Sequence, residues 1–325
     1  MAAHRRRFLH LVLVAAIALV AAGCSNGSTS TPPGVGGSPN ADRFPMTLTD
    51  DDGARVTLNS APKRIVTFGP SITEIVYALG EGGRLVGVCA QCDHPPEVAR
   101  IPRVGGYLTP SVEVVLATRP DLVIAVPSPG NREAVRALER VGVRMLVVHD
   151  RTLADLWTSI AQVADALGVP GAGERLVADV AGRLDAVRTR VAGLAPRRVL
   201  VVVGHNPLIA VGGDNLQDEL VTLAGGVNVA ADAGATWPTL SLELVVARAP
   251  EVIVDAAMGS EATGEALFQA LPTVPAVRAG RVVRLAGDTL LRAGPRVPDA
   301  AAALAAAIHP EAFQPAPTGI TPRAG

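Results

Sequence analysis

Three cysteines stand among the side chains that could do chemistry in this 325-residue sequence: Cys24, Cys89 and Cys92. The last two form a Cys-x-x-Cys pair, for which a local disulfide is expected, with inert thiols as the alternative. Redox catalysis would need a thiolate at a helix N-terminus. A zinc site would need two more soft ligands, and although His94 is close, no fourth follows. His205 could be paired with Asp214 or Asp288 as base and acid, but nothing in the spacing requires it. There is no Gly-x-Ser-x-Gly elbow, no Walker phosphate loop and no His-Glu-x-x-His helix. A membrane-anchored enzyme is therefore carried only as a rival reading.

Aromatic residues are scarce, with two Trp, two Tyr and five Phe, so one placed in a loop that can line a cleft carries weight. Tyr107 and Trp237 are two such positions. The formal net charge of -1 gives no global field for nucleic acid or an anionic membrane surface, and nucleic-acid binding is set aside.

These residues need elements to hold them. At 49% hydrophobic content the chain can bury a sizeable core, and its length suits two domains. His4-Arg5-Arg6-Arg7 followed by the apolar stretch Phe8 to Ala22 reads as an export signal, too short for a comfortable membrane span. Ala21-Ala22-Gly23-Cys24 resembles a bacterial lipobox, which makes 1–24 a lipoprotein signal peptide and Cys24 a lipid anchor. Residues 25–45, rich in Ser, Thr, Gly and Pro, read as a flexible tether. Residues 311–325 read as a disordered tail.

Between these, Met46 to Leu48 and Val56 to Leu58 suit a hairpin around Asp52-Gly53. Apolar runs at Arg64-Phe68, Leu85-Val88, Asp121-Val126 and Met145-Val148 alternate with helical stretches such as Ile72-Leu79 and Arg132-Val141, the pattern of parallel strands covered by helices. A second series of the same character runs through Val199-Val203, Leu216-Ala224, Val252-Asp255 and Val282-Leu285. The fold class is thus α/β, with an N-terminal lobe at 46–170 and a C-terminal lobe at 196–310. Leu176, Val180, Leu184, Val187, Val191 and Leu194 recur at helical spacing, so 171–195 is expected to be a single long helix joining the lobes, on the order of 30 Å in length.

The chain also repeats itself. Ser111 to Ala117 and Ser241 to Ala247 match at an offset of 130 residues, and the match extends to Pro120 and Pro250, Thr109 and Thr239, and Tyr107 and Trp237. Duplicated lobes account for this, and the repeat pairs Glu113 with Glu243.

With Pro62-Lys63-Arg64-Ile65-Val66, Ser71-Ile72-Thr73-Glu74-Ile75, Asp93-His94-Pro95-Pro96, Val104-Gly105-Gly106-Tyr107, Gly204-His205-Asn206-Pro207, Trp237-Pro238 and Arg292-Ala293-Gly294-Pro295-Arg296 in view, the sequence from Thr47 to Pro310 resembles the solute-binding proteins of cobalamin, iron-siderophore and haem importers. The resemblance implies two Rossmann-like lobes joined by one long helix, and a ligand held between Tyr107 and Trp237. It implies no resident cofactor and a monomer outside the cytoplasm, lipid-anchored, serving an ABC permease dimer and its cytoplasmic ATPase. By motif match it gives Glu113 and Glu243 the role of meeting permease arginines. Asp288 and Arg292 match positions that contact a corrinoid periphery. Gln91, Val126 and Ile209 stand where the cobalamin binder carries Tyr, Trp and Phe. A cobalamin-type corrinoid is the ligand expected, with haem or a ferric siderophore as the alternative. If the ligand is haem, an exposed His205 beside the cleft and Tyr107 opposite it become candidate iron ligands.

Overall fold

The computed structural model of the protein describes residues 41–257 and 261–313. The export signal, Cys24, the tether up to residue 40 and the tail from residue 314 lie outside the described residues.

In chain order, β1 (Met46–Thr49) and β2 (Arg55–Leu58) form an antiparallel hairpin. The first lobe continues with β3 (Ile65–Phe68), α1 (Pro70–Ala78), β4 (Leu85–Val88), α2 (Val112–Ala117), β5 (Leu122–Ala125), α3 (Arg132–Arg140) and β6 (Met145–Val147). Next come α4 (Leu153–Leu167) and α5 (Pro170–Val191). The second lobe begins with β7 (Arg197–His205), β8 (Leu208–Ala210), α6 (Leu216–Leu223), β9 (Gly226–Asn228), α7 (Leu242–Arg248) and β10 (Val252–Asp255). It closes with α8 (Glu261–Gln269), α9 (Pro275–Arg278), β11 (Val282–Arg284), α10 (Gly287–Leu290), α11 (Val297–Ile308) and α12 (Pro310–Phe313).

The first sheet has the order β4-β3-β5-β6 and is parallel throughout. Its two central strands are buried at every residue, which is why they appear in sequence as unbroken apolar runs rather than as alternation. The second sheet runs β11-β10-β7-β8, with β9 also paired to β7. Its pairs are parallel except for β7 with β8, which is antiparallel and departs from the all-parallel expectation. Every strand of the first sheet precedes every strand of the second, so between the sheets the chain crosses once, through α4 and α5.

Helix α5 has 22 residues, starts with Pro170 at its first position, and buries Val180, Leu184, Val187 and Val191 under α4 and α11. It stops short of the 171–195 boundary because Gly193 adopts φ 81, a left-handed conformation that ends helices. The second-series segment Leu216–Ala224 is helical rather than extended. Asn215 accepts a hydrogen bond from the Asp218 N–H at 3.0 Å, and Leu216, Leu220 and Val221 are buried at helical spacing.

The tether and tail boundaries move outward, toward the chain termini. Arg43 pairs with Asp165 at 2.8 Å and Phe44 packs on the core, so residues 41–45 belong to the folded body. At the other end, Arg197 pairs with Glu311 at 2.9 Å and Arg190 lies 4.3 Å over the Phe313 ring, which removes 311–313 from the tail.

The internal repeat is structural. Ser111 caps α2 by accepting from Val114 N–H at 3.3 Å, and Ser241 caps α7 by accepting from Leu244 N–H at 3.2 Å. Each helix ends in a non-glycine residue with positive φ, 49° at Arg119 and 42° at Ala249, just before the equivalent prolines. Strands β5 and β10 then begin at equivalent positions. Asp121 accepts from the Lys63 and Arg64 N–H groups, and Glu251 accepts from the Arg198 N–H, so in both lobes the acidic residue after the proline ties the strand to its neighbour.

Candidate functional site

A cavity of about 900 Å³ lies between the lobes. From the first lobe it is lined by Gly69 to Ser71 after β3, Gln91 after β4, Tyr107, and Asp150 to Thr152 after β6. These loops follow the carboxyl ends of parallel strands, where open α/β sheets present their ligand sites. From the second lobe come Asp214, Asn215 and Gln217 at the start of α6, Thr236 and Trp237 before α7, and Asp288, Leu291 and Arg292 around α10. Asp155, in the first turn of α4, completes the wall.

Tyr107 and Trp237 therefore meet the same cavity, each contributed by the equivalent loop of its lobe. Trp237 is 46% exposed, an unusual exposure for so large an apolar ring. Tyr107 is partly buried, and its phenol is held un-ionised: burial first, then the nearby Asp150 charge, push its pKa up to about 12.

The loop carrying Gln91 is built by the cysteines. Cys89 and Cys92 are joined in a buried disulfide, and Arg103 donates to both their carbonyl oxygens, at 3.3 Å and 2.5 Å. Gln91 sits inside this ring and accepts from the Tyr107 N–H at 2.8 Å. The residue after the ring, Asp93, accepts from Arg292 at 2.5 Å and 3.1 Å. The Arg292 guanidinium holds the Asp93 carboxyl below the usual carboxylate range.

Asp93 was not among the sequence candidates, and neither was Glu74. Glu74 lies on α1 with a side chain only 3% exposed, and takes a bidentate contact from Arg296 at 2.9 Å and 2.7 Å. Arg292 is 3.6 Å from the same carboxylate. Two carboxylates of the first lobe thus clasp two arginines of the second. The signal in the sequence was a glutamate among the buried apolar positions of α1, where an unpaired charge would be costly.

Three candidates fall elsewhere. Val126, 3% exposed, packs in the core against Gly69 and borders a separate cavity of about 210 Å³. Ile209 lies on β8, bridges to Thr239 and packs over Gly204, off the main cavity wall. His205 is not an exposed residue facing Tyr107. Its side chain is 5% exposed, its ring nitrogen is 2.9 Å from Asp255, and Phe268 meets it edge-on. Asp255, the last residue of the neighbouring strand β10, supplies the partner that makes burial of the imidazole tolerable. Neither Asp214 nor Asp288 pairs with His205.

Glu113 and Glu243 are exposed and occupy the first turns of α2 and α7. Hydrogen bonds from its own backbone N–H and from Ser241 hold the Glu243 carboxyl below its ordinary pKa. Among the described residues, no group of three or more His, Cys, Asp and Glu side chains could hold a metal ion, and no helix is long and apolar enough to cross a membrane.

Comparison with known proteins agrees with this geometry. The profile of the family described as "Periplasmic binding protein" matches residues 65–289. The chain is 30% identical over 278 residues to the ABC transporter substrate-binding lipoprotein YvrC of Bacillus subtilis, covering 83% of this chain and 88% of the relative. It is 30% identical over 238 residues to the vitamin B12-binding protein of Vibrio cholerae, covering 73% and 86%. Among solved structures, the periplasmic haem-binding protein RhuT from Roseiflexus sp. RS-1 superposes with TM-score 0.71 at 34% identity, covering 78% of this chain and 99% of that one. The vitamin B12-binding protein BtuF of Vibrio cholerae gives 0.69 at 29%, with the same coverage.

Proposed function

This chain belongs to the periplasmic binding protein family, and on that premise we propose that it is the extracytoplasmic, lipid-anchored solute-binding component of an ABC importer whose ligand is a cobalamin-type corrinoid. It is a binding protein rather than an enzyme, as its relatives are. The observation that carries the corrinoid reading is the donor set of the cavity wall. Tyr107 and Trp237 offer aromatic surface to a broad macrocycle, yet among the described residues the wall holds no His, Cys or Met. The one phenol there is held protonated. Such a wall suits a chelate whose metal is already satisfied by its own ligands. Gln91, Asp288 and Arg292 stand at the rim to orient it.

Haem is the second reading, favoured by the likeness to the Roseiflexus haem-binding protein and by the presence of Tyr107 in the wall. Delivery is assigned to a two-fold permease with its ATPase, docked through Glu113 and Glu243, whose equivalence in the repeat puts the same charge on each lobe.

The test is titration calorimetry with the visible spectrum recorded in parallel, on the full chain in detergent, with cobalamin, haem and a ferric siderophore offered separately. Submicromolar cobalamin binding is the expected result. A Soret shift that disappears in Tyr107→Phe would replace the corrinoid with haem.

A further inference from the structure

Two loops of the first-lobe wall are laced together around a disulfide. Cys89 and Cys92 are both fully buried and stand only 3 positions apart. A cross-link constrains the unfolded chain more the longer the loop it closes, so a ring this short gains little there. Its effect lies in the shape of the folded loop. Gln91 is inside the ring, is exposed, and lines the cavity together with Tyr107.

The main chain is fixed on both sides of Gln91. The Ala90 N–H donates to the Gly105 carbonyl at 2.8 Å, and the Cys92 N–H donates to the Cys89 carbonyl at 3.1 Å. Arg103 donates to the Cys89 and Cys92 carbonyls, and Arg292 of the second lobe donates to the Gln91 carbonyl at 3.3 Å. The hydroxyl of buried Thr73 on α1 lies 3.2 Å from the Cys92 sulfur, which seats the ring on the core. The Gln91 side chain is fixed at one end too, because its Oε1 accepts from the Tyr107 N–H at 2.8 Å. A backbone N–H can be met only by the oxygen of a carboxamide, so the two ends of this one are assigned. Among the described residues no hydrogen bond uses its Nε2, and the –NH2 is left to donate.

We infer that the Cys89–Cys92 disulfide is a positioning element of the ligand site, holding Gln91 so that its carboxamide –NH2 donates to an acceptor oxygen of the bound ligand. The inference rests on the reading of this cavity as the ligand site and names what its first-lobe wall offers there: a neutral donor beside the Tyr107 ring. Without the cross-link the turn through Gln91 is free to open, and the donor must be ordered at the expense of binding. The acceptor oxygen is a carboxamide carbonyl on a corrinoid rim and a carboxylate on haem, so both ligands serve as probes.

The test compares wild type, Cys89→Ala with Cys92→Ala, Gln91→Ala and the combination of all three, as full chains in detergent. Cys89→Ser with Cys92→Ser is run alongside, so that misfolding of one pair does not decide the result. Amide hydrogen exchange read by mass spectrometry reports on the loop without any ligand. Peptides containing Tyr107 should exchange about tenfold faster once the disulfide is removed, and likewise in Gln91→Ala, while those of β3 and β5 keep wild-type protection. Calorimetry with cyanocobalamin and with haem, offered separately, should show a loss of about threefold to tenfold for whichever binds wild type, the span of one hydrogen bond. In the Gln91→Ala background, removing the disulfide should cost no more than about twofold, since both changes then act through one group. Faster exchange throughout the fold, unchanged exchange at Tyr107, or equal losses in the two backgrounds overturns the positioning role while leaving a solute carrier intact. A wild type that binds neither probe overturns the reading of the cavity and the donor role of Gln91 with it, and the exchange data then decide separately whether the disulfide holds the loop.

Discussion

At the scale of single residues, the clasp between the lobes shows how much depends on partners far away in sequence. Glu74→Gln leaves the Arg296 guanidinium partly buried without its carboxylate, and removal of one member of a buried pair costs about 3 kcal/mol. The expected outcome is a lowered urea midpoint, partly recovered in Glu74→Gln with Arg296→Met. Asp93 gives a pH signature. Its carboxyl is held low in the folded protein by Arg292, so the stability it contributes is complete above the unfolded carboxylate pKa and is lost as pH falls through the lowered folded value. Acid titration of stability should therefore be shallower in Arg292→Gln than in wild type. Of the site, Tyr107, Trp237, Gln91, Asp288 and Arg292 were legible because loop aromatics, the repeat and the motif matches pointed to them. His205 was misread because its partner Asp255 lies 50 residues on, and nothing local announces a buried imidazole. Val126 was misread because the residue just beyond a buried strand can continue the core as readily as face a cleft.

At the scale of elements, hydrophobic runs gave the strands of the first sheet nearly to the residue, since strands buried on both faces are continuously apolar. The same reasoning misplaced Leu216–Ala224, where a short apolar run is ambiguous and only the capping Asn215 with its hydrogen bond to Asp218 decides for helix. The repeated segments allow a matched pair of tests. Ser111→Ala and Ser241→Ala each remove an N-cap and should each cost about 1 kcal/mol in thermal or urea unfolding. Ala249 occupies a left-handed backbone at φ 42° and ψ 61°, where a Cβ is unfavourable and glycine is not. Ala249→Gly should raise the unfolding midpoint, by about 0.5–1 kcal/mol in stability.

At the scale of the whole molecule, the proposed docking through Glu113 and Glu243 puts delivery on a different surface from the cavity, and the proposal requires the two to separate by mutation. Glu113→Ala with Glu243→Ala is expected to abolish uptake in cells while changing ligand affinity by no more than about twofold, because exposed carboxylates on helix first turns do not touch the cavity. Trp237→Ala is expected to do the reverse, weakening ligand binding about tenfold or more as its aromatic surface is lost from the wall. The scarcity of aromatic residues gives the molecule one more property. Its two tryptophans are divided between a cavity wall, Trp237, and the flank of α4, where Trp157 packs on the core. Redder emission from a half-exposed indole and bluer emission from a sheltered one are expected to overlap in one spectrum, so the protein carries a built-in optical reporter and its internal standard. An absorbing macrocycle should quench the red side of the band first, and Trp237→Phe should leave Trp157 as the residual light.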